Sequence, residues 1–389
     1  MKTQVAIVGA GPAGSLLSEL LHAAGVDNVV LERQTKDYVL SRIRAGVLES
    51  GTVEILRNAN VSERLDREGT VHETVNIAWR GEELLSIETA PLCGRDMMGY
   101  GQTAIQEDLY EALDRRSAPP VFEAVDVELH DIESATPWVT FTKDGIAERV
   151  DCDYIVGCDG FHGVSRQSIP AELRTEYEKE YPFGWIGILS ETPPLPILMY
   201  ANHERGFGLC SMRNPMLSRY YVQCPLTDKV EEWSDDRFWE ELLIRLPEAQ
   251  RSQIVTGPSI EKSIAPLRSF VSEPMQYGSL FLAGDAAHIV PPTGAKGLNL
   301  AMSDIHYLSQ ALLERYGTGS TAGLEGYGAT ALARVWGAVR FSWWLTSLLH
   351  RFPNQTAFDQ RAQEQELAYL SSSTAAQTSL AEQYVGFPL

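Results

Sequence analysis

Residues 9–14, Gly9-Ala10-Gly11-Pro12-Ala13-Gly14, spell G-x-G-x-x-G between an apolar run, Gln4–Val8, and a helical one, Ala13–Ala24, closed by Gly25. This constrains the fold more than any other feature of the chain. Glycines at a strand-to-helix turn let a pyrophosphate approach the backbone, and the helix N-terminus meets its charge. Val29–Glu32 reads as the next strand. Glu32, 18 residues after Gly14, ends it with a carboxylate placed to accept hydrogen bonds from a ribose. Without strand, helix and acid in register the glycines would mean only a tight turn. With them the spacing predicts a β-α-β unit that binds a dinucleotide.

Tyr154–Gly157 and Leu280–Ala283 read as further strands of the same sheet. From Tyr181 to Ile264 the texture changes. Trp185–Leu189, Gly206–Met212 and Arg219–Cys224 are rich in aromatic and β-branched residues, and a helix is expected over Asp236–Arg245. This predicts a second, largely antiparallel sheet. Beyond Asn299 the periodicity is helical, over Ala301–Tyr316, Ala331–Leu349 and Gln360–Leu370, with the Gly-rich stretch Gly317–Gly323 read as a loop. The expected architecture is α/β (α+β): a Rossmann-like dinucleotide domain at 1–175, a β-sheet substrate domain at 176–289 and a helical region at 290–389.

The 389 residues carry a formal charge of −20, which argues against nucleic acid or an anionic membrane as partner. Clustered arginines are therefore informative here. The five cysteines are scattered without a C-x-x-C, as reduced thiols are, and the eight histidines show no ligand spacing, so no metal is expected. Glycines interrupt the N-terminal apolar run too early for a signal peptide, and no run reaches the ~20 apolar residues of a span. A cytoplasmic location is expected.

Flavin and nicotinamide share the fingerprint, and two further motifs separate them. Cys158-Asp159-Gly160 follows the strand Tyr154–Gly157, and Leu282-Ala283-Gly284-Asp285-Ala286-Ala287-His288 precedes Pro291 and Pro292. In order and separation they resemble the Asp-Gly and Gly-Asp motifs of the flavoprotein aromatic hydroxylases. Over Arg42–Leu48, Gly157–Pro170, Tyr200–Arg213 and Ala283–Leu300 the chain is most similar to members acting on 4-hydroxybenzoate. The resemblance implies non-covalent FAD held by Gly9, Gly11, Pro12, Ala13, Gly14, Glu32, Arg33, Arg42, Arg44, Ala45, Gly46, Val47, Gln102, Asp159, Asp285, Gly297, Leu298 and Asn299. It also implies a homodimer, with the Trp-containing C-terminal helices at the interface.

The substrate residues have a local argument. Residues two apart in a strand share a face, so Ser211 pairs with Arg213 and Arg219 with Tyr221. A guanidinium fork, a hydroxyl and a phenol on adjacent strands suit a carboxylate. The bland alternative is a solvated edge with two surface arginines. The resemblance assigns Ser211, Arg213 and Tyr221 to a substrate carboxylate, with Arg219 and Thr293 also binding substrate. It sets Tyr200 on the phenolic oxygen, backed by Tyr384 and the carbonyl of Pro292, with His72 at the outer end of a proton relay. The implied reaction takes 4-hydroxybenzoate, O2 and NADPH to 3,4-dihydroxybenzoate through a flavin C4a-hydroperoxide.

One fingerprint leaves the nicotinamide without a fold of its own. Arg33, Gln34, Tyr38 and Arg42 follow Glu32, with Tyr38 and Arg42 at i, i+4 on one helical face. The resemblance ties them to the 2′-phosphate of NADPH, and His162, Arg166 and Arg268 to its pyrophosphate. Lys36 and Ser41 depart from the Pro and Gly commoner in the family. Other classes stay open: a flavoprotein reductase or oxidase, which would not need Tyr200, Ser211, Arg213 and Tyr221 together, and a dinucleotide sensor, which would not need Asp159 and Asp285. A hydroxylase of 4-aminobenzoate or a substituted hydroxybenzoate would use the same carboxylate clamp.

Overall fold

The computed structural model describes residues 1–42, 46–81 and 83–389. Val5–Val8 and Asn28–Glu32 pair in parallel on either side of the crossover helix Pro12–Ala23, with Pro at its start where a missing N–H costs nothing. Tyr154–Gly157 and Leu280–Leu282 extend this sheet in parallel, as the sequence predicts, and Val121–Phe122 and Gln276–Tyr277 form its edges. All four residues of Val5–Val8 are buried, the mark of a strand covered on both faces.

The second sheet has eight strands, in the order 288–289, 259–273, 175–190, 217–224, 208–214, 199–202, 74–79 and 83–88. It is antiparallel except where Met199–Asn202 runs parallel to Thr74–Trp79. It thus takes Thr74–Trp79 and Glu83–Glu88 from inside 1–175, while 276–282, inside 176–289, belongs to the first sheet. The strand Thr175–Ser190 is far longer than Trp185–Leu189, because its exposed first six residues pair with Arg268–Glu273 without presenting an apolar stripe.

The C-terminal helices are Gly297–Thr318, Ala322–Leu349, Ala357–Ser372 and Thr374–Val385. The second begins nine residues ahead of the expected Ala331, through Gly323, Gly326 and Gly328, which disfavour helix. Packing overrides propensity: Leu324 and Tyr327 are buried, and the Tyr327 hydroxyl donates to the carbonyl of Leu282 at 2.7 Å. The loop read over Gly317–Gly323 shrinks accordingly. Thr374–Val385, a helix that the periodicity does not predict, is N-capped by Ser373. These last helices pack on the sheet face bearing Tyr200, Phe207 and Leu209, while Asp235–Arg245 covers the opposite face.

Candidate active site

The fingerprint turn is held from several sides. Gly9 has φ +104°, and a Cβ there would lie 2.3 Å from the carbonyl oxygen of Cys158, so only glycine permits this approach of the two strands' ends. The Ala10 amide donates to Glu32 Oε2 at 2.9 Å, and the Ala10 carbonyl accepts from Ser15, Gln106 and Tyr110. Glu32 Oε1 accepts from the Gln34 amide, so this carboxylate fixes two turns. A Cβ on Gly11 would meet nothing within 4 Å. That space, beside the amides opening Pro12–Ala23, fits a pyrophosphate.

Asp159 Oδ2 accepts from the amide and hydroxyl of Ser165, each at 2.9 Å, closing the turn after Tyr154–Gly157; Oδ1 is buried without a hydrogen-bond partner among the described residues. Burial raises the Asp159 pKa above the ordinary carboxylate value. Asp285 is half-buried in the turn Gly284–Ala286, which is anchored from beneath. Asp304 Oδ2 accepts from the Gly284 amide at 2.9 Å and meets His288 Nε2 at 2.7 Å. Burial disfavours the His288 charge, but the Asp304 pairing outweighs it and the pKa is raised. Asn299 is fully committed: Oδ1 accepts from the Glu49 amide and the Thr52 hydroxyl, and Nδ2 donates to the carbonyls of Val47 and Ala295. Its side chain staples 47–52 to the helix, leaving the N-terminal amides of Gly297 and Leu298 to face an anion. Gly46 is packed on Tyr100 and Gly101, beside the half-buried Gln102, which makes no side-chain hydrogen bond among the described residues. Arg44 and Ala45 lie outside the described residues.

Residues opposite one another in an antiparallel sheet share a face. Tyr200 stands opposite Leu209, and Leu209 opposite Tyr221; Ser211 opposite Arg219 forms the next row of that face. Tyr221 in turn faces Gly187, where a Cβ would lie 2.6 Å from its ring, so the missing side chain lets the phenol lie down across the strand. The ladder shifts register between Met212 and Asn214, displacing Arg213 from strict alternation.

The two arginines differ. Arg219 is buried and ion-paired to Glu261, and its Nε donates to the Tyr221 hydroxyl at 2.9 Å. Arg213 has no ion pair among the described residues, and its Nε is buried without a hydrogen-bond partner. Burial lowers its pKa, Tyr221 opposes that, and Arg219 adds to the lowering. A buried guanidinium without a counter-charge favours an anion beside it. The Ser211 hydroxyl donates to the carbonyl of Arg219 at 2.7 Å, leaving its oxygen able to accept.

At the other end Tyr200 and Tyr384 are 2% and 0% exposed, and their hydroxyls are 2.6 Å apart. Burial pushes both phenols well above their ordinary pKa, so both stay protonated. Two protons and one shared hydrogen bond leave a proton over. If Tyr384 donates to Tyr200, Tyr200 can donate to a ligand oxygen. The Pro292 carbonyl accepts from the Ala295 amide, and Thr293 is buried against the Thr346 hydroxyl at 2.8 Å. His72 is buried in Thr70–His72 and makes no side-chain hydrogen bond among the described residues, so it bonds to neither tyrosine directly. Burial, with Arg213 adding to it, holds its pKa below the ordinary imidazole value.

The pyridine-nucleotide residues divide. Arg33, Tyr38 and Arg42 are exposed; the Arg42 guanidinium lies 5.8 Å over the Tyr38 ring, and neither arginine is ion-paired among the described residues. Gln34 is half-buried, and His162 is exposed. Arg166 and Arg268 are engaged, Arg166 with Glu176 and the rings of Phe161 and Phe270, Arg268 with Glu178 and Glu180. Lys296 and Glu49, for which sequence motifs predict no role, are 2% and 4% exposed and paired at 2.7 Å; Lys296 also donates to the Tyr384 carbonyl at 2.7 Å. A lysine inside the tract Pro291–Leu300 was the available signal.

The family defined by an FAD binding domain matches residues 2–342. The chain belongs to it, and is a flavin-dependent aromatic hydroxylase. It is a homologue of p-hydroxybenzoate hydroxylase from Acinetobacter baylyi, with 53% identity over 389 residues, 100% of this chain and 96% of that protein. A 3-(3-hydroxy-phenyl)propionate/3-hydroxycinnamic acid hydroxylase from Burkholderia vietnamiensis is 26% identical, over 80% of this chain and 56% of its own. The crystal structure of p-nitrophenol 4-monooxygenase from Pseudomonas putida superposes with TM-score 0.84 at 17% identity, covering 100% of both chains, a likeness of fold.

Proposed function

We propose that the enzyme hydroxylates 4-hydroxybenzoate at the 3 position, consuming NADPH and O2. The observation that carries this reading is the Arg213 guanidinium, without an ion pair among the described residues and with its Nε unpartnered, on the same sheet as the buried Tyr200–Tyr384 hydroxyl pair. From the Tyr200–Leu209 row to Arg213 is four residues of strand, about 13 Å at ~3.3 Å per residue. Side chains leaning in from both ends narrow that to a ring with polar groups at opposite ends, and a carboxylate para to a hydroxyl meets both demands. The balance is substrate, NADPH, H+ and O2 to 3,4-dihydroxybenzoate, NADP+ and water.

FAD fits the fingerprint turn, Glu32, Gln102, Asp285 and the start of Gly297–Thr318. When bound and reduced by the nicotinamide, it supplies the activated oxygen that the ring takes up. The chain's own residues do the rest. Arg213, with Ser211 and Tyr221, binds the carboxylate and sets the ring's orientation. Tyr200 donates to the phenolic oxygen and favours phenolate, whose ortho carbon is the better nucleophile. Lowering a phenol pKa from about 10 by two units takes roughly 2.7 kcal/mol of preferential phenolate stabilisation, and the dry pocket strengthens the hydrogen bond that contributes to it. His72, whose pKa is held below the ordinary imidazole value by burial and by Arg213, is assigned as the group that accepts the released proton. Packing of the last three helices on this face excludes water from the reacting centre.

The test follows NADPH oxidation and product together on 4-hydroxybenzoate, 4-aminobenzoate and benzoate. Stoichiometric 3,4-dihydroxybenzoate from the first alone is expected. NADPH oxidation without hydroxylated product from any of them overturns the reading.

The exposed Arg33 and Arg42 support a 2′-phosphate site. Arg42→Ala is expected to raise KM for NADPH at least tenfold more than for NADH; equal effects would move Arg42 to the pyrophosphate or the flavin. Trp336 and Trp343 are 38% and 46% exposed on Ala322–Leu349, which supports a homodimer through this surface. Sedimentation at micromolar concentration is expected to give a dimer, and a monomer there would remove the proposal.

A further inference from the structure

Arg334, on the helix Ala322–Leu349, reaches the end of the helix that carries Tyr384. Its NH2 donates to Glu49 Oε2 at 2.8 Å, and its NH1 to the carbonyls of Phe387 at 2.9 Å and Pro388 at 3.4 Å. The other Glu49 oxygen takes Lys296 Nζ, whose further bond is to the Tyr384 carbonyl. The last carbonyls of a helix have no partner within it. Here Lys296 supplies one such partner at Tyr384, Arg334 takes the carbonyls just past the helix, and one buried carboxylate ties the two cations together. Tyr384 is thus gripped through its own carbonyl and through the strand of chain that follows it, while its hydroxyl stands 2.6 Å from Tyr200.

We propose that Arg334 is a positioning residue: by holding Phe387 and Pro388 to Glu49 it keeps Tyr384 against Tyr200 and so sets the ionisation of the bound phenol. This rests on the reading of Tyr200 as the group that meets the phenolic oxygen. Arg334 does not itself touch the substrate. Without it, Glu49 keeps only Lys296, the segment after Val385 loses its anchor, and the final helical turn frays as unanchored ends do. Tyr200 then loses the donor that frees its own proton for the ligand.

The experiment records the ultraviolet spectrum of 4-hydroxybenzoate bound to the FAD-loaded enzyme against pH. Arg334→Gln is expected to move the phenol ionisation midpoint up by about one pH unit, a tenfold loss of preference for phenolate. Benzoate, which lacks the hydroxyl, should bind within about twofold of wild type. In a Tyr384→Phe background Arg334→Gln should add nothing, because the contact it protects is already gone. Arg334→Lys should restore part of the shift, since an ammonium reaches Glu49 but lacks the fork. A chain shortened to end at Gly386 keeps Arg334, removes both carbonyls and should reproduce the shift, which covers the case of an Arg334→Gln protein that folds poorly. An unmoved midpoint in both variants, or an equal further shift on top of Tyr384→Phe, overturns the proposal. Amide exchange over 383–387 supplies a separate readout: at least tenfold faster exchange is expected in Arg334→Gln, and unchanged exchange overturns the clamp. A wild type that binds the ligand without any phenolate transition would instead sink the substrate reading, with amide exchange still deciding on Arg334.

Discussion

Arg213→Ala is expected to weaken 4-hydroxybenzoate binding by about 3 kcal/mol, more than a hundredfold in Kd, as the loss of one partner from a desolvated charge pair does. Arg219 cannot take over, because its guanidinium is held by Glu261 and Tyr221. Arg213→Lys should recover only part of the affinity, since a point charge cannot present two parallel donors to a carboxylate. The ligand-free protein should respond in the opposite sense. Arg213 Nε is buried without a partner there, so removing the side chain is expected to leave Tm unchanged or raise it. Titration and thermal melts of the same variant check both halves. Unchanged affinity would mean that the carboxylate lies elsewhere.

Tyr200→Phe should separate binding from chemistry. The carboxylate clamp is intact, so affinity should fall by less than about tenfold, while the midpoint of the bound phenol's ionisation rises toward the free value of about 10. The sign follows from the proposed role: with Tyr200 as donor to the phenolate oxygen, its removal takes a donor from the charged form and raises the pKa. At neutral pH the ring is then a poor nucleophile, and most of the NADPH consumed should appear as hydrogen peroxide, with hydroxylated product falling at least tenfold. Raising the pH should restore part of the coupling in the variant. The orphaned Tyr384 hydroxyl should also cost about 1–3 kcal/mol of stability, being buried without its partner. Full coupling with a wild-type ionisation curve would reduce Tyr200 to packing.

What was legible in the sequence was local. The fingerprint, Glu32 and the crossover helix announce themselves because a phosphate-binding turn needs particular residues at fixed spacing. The period-2 argument pairs Ser211 with Arg213 and Arg219 with Tyr221; strand register sets Ser211, Arg219 and Tyr221 on one face, while the shift after Met212 takes Arg213 out of strict alternation. Alternation alone could not reveal that Glu261 neutralises Arg219 and leaves Arg213 open, because that pairing joins positions 42 apart through strand register. Asn299 reads as a cofactor contact by position, yet its amide is used within the protein, across a separation of 250 residues to the Glu49 amide. Lys296, Glu49 and Arg334 have no shared spacing at all. The long helix from Ala322 was hidden by three glycines whose unfavourable propensity is outweighed by burial of Leu324 and Tyr327.

The pairing of Thr74–Trp79 with Met199–Asn202 sets a timetable for synthesis. The hairpin Thr74–Glu88 emerges with Val75, Ile77, Leu85 and Ile87 ready to be buried, but the strand that completes its edge is not made until more than a hundred residues later. At roughly 10 residues per second that is on the order of ten seconds with an open, apolar edge. The first sheet waits longer still, since Leu280–Leu282 must arrive to flank Tyr154–Gly157. Neither sheet can therefore close on the growing chain before the other is nearly made. Cleavage of the backbone near residue 175 would divide both sheets and leave two fragments with unpaired strands.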